Sequence, residues 1–99
     1  MRRLISGDRQ ELKMDIIISP HAAEQAASRG ATKREIIEVL RSGSPVAAKY
    51  RRSGKAKIFP FSGERFGGSY DQKKVEVFYA EEGNDIIIIT VYVFYGKWE

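Results

Sequence analysis

The chain has 99 residues, of which 42% are hydrophobic and 11% aromatic, with a formal net charge of +4. That describes one folded domain rather than a disordered chain or two cores. No cysteine is present and histidine occurs once, which excludes disulfide staples and thiolate metal sites and would oblige a zinc site to use three carboxylates, a set that zinc rarely accepts.

Residues 1–14 mix charges without a sustained period and read as a poorly ordered lead or a short helix. The domain proper is expected at 15–99, opening with the β-branched run "DIII" (15–18), a strand signal. Ser19 is a good N-cap, Pro20 suits the first helical position, and Gly30 closes the helix that they start. "TKRE" (32–35) is a capping box, and it predicts a second helix to about Ser42 with Ile36, Ile37, Val39 and Leu40 buried. "SGSP" (42–45) stops it.

The rest predicts strands. "AAKYRR" (47–52) and "KAKIFPF" (55–61) flank Ser53-Gly54 and predict a hairpin, with Pro60 marking an edge strand or a strand end. "GERFGGSYDQ" reads as a glycine-rich loop. "KVEVFYA" (74–80) and "DIIIITVYVFY" (85–95) flank "EEGN" and predict a second hairpin. In the last strand, odd positions from Ile87 to Tyr95 are almost wholly aliphatic and should meet the helices. Even positions turn polar and aromatic, so Thr90 and Tyr92 should face the other way. With both faces substantially apolar, this strand is expected at the centre of the sheet. The order is β-α-α-β-β-β-β, an α+β domain with two N-terminal helices packed on one face of an antiparallel sheet.

Charge is segregated. Between Arg29 and Lys57 nine basic residues face only Glu35 and Glu38, the pattern that a phosphate-backbone footprint requires. Lys49, Tyr50, Arg51, Arg52, Lys55 and Lys57 are the candidate RNA-binding set, with Tyr50 offering a stacking surface for an unpaired base. Alternation in a strand would split Lys49 and Arg51 from Tyr50 and Arg52. A lysine-guarded edge strand explains the same charges without a ligand.

His21 sits at the start of the first helix, where the positive end of the helix dipole disfavours an imidazolium. A neutral imidazole is what a general base requires. Gln25 and Arg29 follow one and two turns on and share its flank. Such a flank suits phosphoryl transfer, with His21 taking a 2′-hydroxyl proton and Arg29 holding phosphate. The alternative is that His21 only packs over the helix start while Arg29 satisfies terminal carbonyls.

"ISPHAAEQAASRGATKREIIEVL" (18–40), closed by "IIITVY" (87–92), resembles the domain-of-unknown-function family numbered 4258: a strand, S-x-H-A, a short helix ending in R-G, a capped second helix ending in V-L, and a final T-V-Y strand. That family is similar in expected architecture to the RelE, ParE and BrnT toxin folds. The resemblance implies a metal-independent, cofactor-free ribonuclease with catalytic candidates His21, Arg29, Thr90 and Tyr92, and a cognate antitoxin as partner. The chain itself is expected to be cytoplasmic, free of the membrane, and a monomer or homodimer. A non-catalytic RNA- or protein-binding module is the other reading.

Overall fold

The computed structural model describes residues 15–65 and 67–98; the expected lead at 1–14 lies outside them. The elements are β1 (Asp15–Ile18), α1 (Pro20–Arg29), α2 (Lys33–Ser42), β2 (Ser44–Val46), β3 (Ser53–Arg65), β4 (Gly68–Glu82) and β5 (Asp85–Gly96). They form one five-stranded sheet in the order β1-β5-β4-β3-β2, with the helices on one face. The α+β order is therefore as the sequence implies. One pairing is not antiparallel: β1 runs parallel to β5 through Asp15–Ile18 and Asp85–Ile88. The centre of the sheet is β4, not β5, because β5 has a strand partner on its β1 side only as far as Ile88.

Local chemistry explains the helices. The Ser19 side chain accepts from the Ala22 amide at 3.1 Å, and Gly30 takes φ 93° to end α1 with its N–H on the Ala26 carbonyl. Gly30 is required there twice over, since a Cβ would run into the Tyr95 hydroxyl. Thr32 and Glu35 complete the capping box of α2. Ala22, Ala26, Ile36, Val39 and Leu40 bury the helix faces against Val75, Val77, Ile88 and Val91 of the sheet. Each fully buried Val or Ile in this layer contributes about 1.5–3 kcal/mol.

A buried cation joins the layers. Lys73 donates to the Gly30 carbonyl at 2.7 Å and pairs with Glu35 at 2.9 Å, so both helix junctions are tied to β4.

Three strand expectations are corrected. The β4–β5 ladder shifts register between Phe78 and Tyr79, with Thr90 opposite the first and Ile88 opposite the second. Ile89 is the extra residue of a bulge, and a bulge inverts the alternation on either side of it. The helix face of β5 is thus Ile86, Ile88, Val91 and Val93, not a continuous odd series. Second, "AAKYRR" is not a strand. The chain leaves β2 at Val46 and turns at Lys49–Arg52, and Ser53-Gly54 already belongs to β3. Gly54 is no turn residue, since a Cβ there would lie 2.7 Å from the Phe78 ring. Third, most of "GERFGGSYDQ" is strand, as β3 and β4 continue to Arg65 and Gly68. Pro60 does lie on an edge stretch, because β2 covers only Gly54–Ala56 of β3.

Candidate functional site

The free edge of β5 is closed by a helix instead of a strand. Ser19 donates its N–H to the Ile88 carbonyl at 3.1 Å. One turn apart on α1, Gln25 and Arg29 take both backbone polar groups of one residue. The Gln25 amide oxygen accepts from Val91 N–H at 2.9 Å, and Arg29 Nη1 donates to the Val91 carbonyl at 2.7 Å. The Tyr95 hydroxyl donates to the Arg29 carbonyl at 2.7 Å. Edge groups that would otherwise recruit another strand are thus satisfied from a helix flank. The same Arg29 guanidinium stands 5.1 Å over the Tyr92 ring. Arg29 is accordingly an edge clamp whose charge also reaches the open face of the sheet.

Opposite the helices, the segment between β2 and β3 folds back over the sheet. Arg52 N–H reaches the Lys49 carbonyl at 3.2 Å, while Tyr50 and Arg51 adopt φ 59° and 62°. This is the pattern of a type I′ turn, which Asn and Gly adopt easily. Non-glycine residues held there cost about 1–3 kcal/mol each. The turn carries the Tyr50 ring out into solvent, 82% exposed.

Between this turn and the sheet lies an open cleft of about 210 Å³. Ala47, Ala48, Lys49, Tyr50 and Arg52 line it from the turn side, and Phe78, Thr90 and Tyr92 from the strands. Phe78 and Tyr92 meet edge to face at 5.9 Å and form the aromatic floor. The bulge at Ile89 sets this floor, since without it Thr90 and Tyr92 would point to the helices.

Two sets of sequence candidates thus converge, Thr90 and Tyr92 with Lys49, Tyr50 and Arg52, and Arg29 adjoins through Tyr92. Arg51 is exposed on the turn but does not line the cleft. Lys55 and Lys57 lie elsewhere. Lys55 donates to the Leu40 carbonyl at 2.8 Å, and Lys57 binds Glu38 and Ser42 at 2.8 and 2.7 Å, so both fasten the end of α2 to β3. His21 is exposed. The ties of Ser19 to Ile88 and of Gln25 to Val91 set it level with Ile89 and Thr90 along β5, about 12 Å of helix from Arg29. Phe78 was missed, although its alternation with Val77 and Tyr79 already aimed it away from the core.

Among the described residues, two groups are shifted from their ordinary ranges. The hydrogen bond from Lys57, then that from Ser42, holds the Glu38 carboxyl low. Burial, with the Glu81 charge adding to it, raises the Tyr79 phenol, against a hydrogen bond from Ser53. Neither lines the cleft. Among the described residues no group of three or more His, Cys, Asp or Glu is placed to hold a metal, and no helix is long and apolar enough to cross a membrane.

Fold and cleft together define a small α+β domain with a basic, aromatic groove on the open face of its sheet. Residues 18–93 match the family described as Domain of unknown function (DUF4258), and the chain belongs to that family. No curated protein and no solved structure matches the chain.

Proposed function

We propose that this domain binds single-stranded RNA in the cleft, with an unpaired base against Tyr50 and Tyr92 and the adjoining phosphates on Lys49 and Arg52. Tyr50 carries the reading. A strained turn holds its ring exposed in the wall of a cleft that has an aromatic floor and two cations. Exposed rings beside cations are how single strands are held, each stacked base contributing about 1–3 kcal/mol. The test is anisotropy of a labelled oligoribonucleotide with wild type and Tyr50→Ala. About tenfold weaker binding by the variant is expected from one lost stack. Equal binding refutes the site.

A second reading adds chemistry, and the position of His21 level with Thr90 favours it. His21 takes the proton of a 2′-hydroxyl, whose oxygen attacks the adjacent phosphorus. The bond to the 5′-oxygen breaks and that oxygen takes a proton from the Tyr92 hydroxyl. The products are a 2′,3′-cyclic phosphate and a 5′-hydroxyl end, with Arg29 and Arg52 offsetting the extra charge on phosphorus. This is the toxin-like ribonuclease reading, metal-independent and cytoplasmic, with an antitoxin protein covering the cleft. Incubation of labelled RNA in EDTA with wild type and His21→Ala decides it. Cleavage by wild type alone supports His21 as base, and equal cleavage by both removes it.

A further inference from the structure

The open face of the sheet does not stop at the cleft. After Tyr92, the residues on this face of β5 are Phe94 and Gly96, and the chain continues to Trp98. The Tyr92 and Phe94 rings lie 6.3 Å apart and within 21° of parallel, and they are 40% and 44% exposed. From β4, Lys74 reaches into the same row, its ammonium 5.6 Å from the Phe94 ring and 5.5 Å from the Trp98 ring. The Trp98 ring lies against Gly96, in van der Waals range of where a Cβ would stand. Gln72 accepts the Trp98 N–H at 2.6 Å and holds the segment in place.

We infer that this row is a second stacking platform, so that a single RNA strand runs from the Tyr50 turn across Tyr92 to Phe94 and Trp98. This rests on the reading of the cleft given above. The occupant follows from the alternation of exposed ring faces with cations: Arg29 at Tyr92, then Lys74 between Phe94 and Trp98. Side chains two apart on a strand repeat at about 6.8 Å, so one strand face offers successive platforms to a chain with its bases splayed out. Glu76 lies 3.6 Å from Lys74 and opposite Tyr92, and it offsets much of the Lys74 charge. Affinity along this stretch therefore comes from the rings more than from phosphate contacts, and it persists in salt.

Trp98 is the chain's only tryptophan, so its emission reports on the far end of the row. Oligouridylates of increasing length are titrated into wild type, Tyr50→Ala and Phe94→Ala, reading anisotropy and Trp98 emission together. The shortest ligands fill the cleft without changing the emission. Longer ones quench it, and that added affinity survives high salt. Phe94→Ala loses about tenfold in affinity for long ligands only. If wild type binds every length equally and Trp98 never responds, the platform is refuted while the cleft stands. If wild type binds no RNA, both readings fail. Quenching by long ligands with unchanged affinity in Phe94→Ala also overturns the row as drawn.

Discussion

Arg29→Met separates the structural role of this arginine from any chemical one. It removes a 2.7 Å hydrogen bond to the Val91 carbonyl and the approach to the Tyr92 ring at 5.1 Å, but keeps an unbranched side chain along α1. Hydrogen bonds from charged donors contribute about 1.5–3 kcal/mol. The Val91 carbonyl faces the sheet edge, where water can replace the donor, so the lower end of that range applies. The cation–π contact adds about 0.5–1 kcal/mol at a half-exposed site. Together these predict a loss near 2 kcal/mol, which lowers Tm by about 10 °C in a domain of this size. Urea denaturation with the slope m held common to wild type and variant measures it. His21→Ala is the control: an exposed residue whose removal should change stability by less than about 0.5 kcal/mol. An Arg29→Met protein as stable as wild type refutes the edge clamp.

Lys73→Met leaves Glu35 facing an apolar group in the half-buried junction of the helices with β4. It should cost about 3 kcal/mol in chemical denaturation, towards the low end for breaking a buried pair. Arg51→Gly relieves a left-handed residue and should stabilise the fold by about 1 kcal/mol without weakening RNA binding, which anisotropy checks. The Glu38 carboxyl is held low in the folded state, so its contribution is present above the unfolded value and is lost as pH falls through the folded one. Lys57→Met should therefore flatten the acid limb of a stability–pH curve, and an unchanged limb contradicts the pairing.

The helices were legible because their ends are written in side chains: Ser19, Pro20 and Gly30, then Thr32 with Glu35. The faces of β5 were legible only beyond the bulge, where Val91 and Val93 meet the helices and Thr90 and Tyr92 face away as expected. Nothing in the uniform run Ile86–Ile89 marks which residue is extra, and one inserted residue exchanges the two faces. Gly54 misled because a glycine under an aromatic ring and a glycine in a turn look alike in sequence, and the Phe78 ring that decides between them comes 24 positions later. At the site, residue types were readable but their partners were not. Lys55 and Lys57 look like Lys49 and Arg52 in composition, yet they stand on β3 and face α2, whereas Lys49 and Arg52 belong to the turn before that strand. Arg29 was singled out for phosphate, and its main tie is to the backbone of β5.

Central to all of this is that the cleft holds the phosphate backbone of a single strand, and the salt dependence of binding tests that most directly. Each phosphate neutralised on a single strand adds about −0.7 to the slope of log K against log salt. Replacing Arg52 by Gln should make the slope shallower by about that amount, and Lys49→Gln by a similar one, whereas Arg41→Gln, on the exposed face of α2 away from the cleft, should leave it unchanged. Equal slopes in wild type, Arg52→Gln and Lys49→Gln would contradict the cleft as the place where RNA binds.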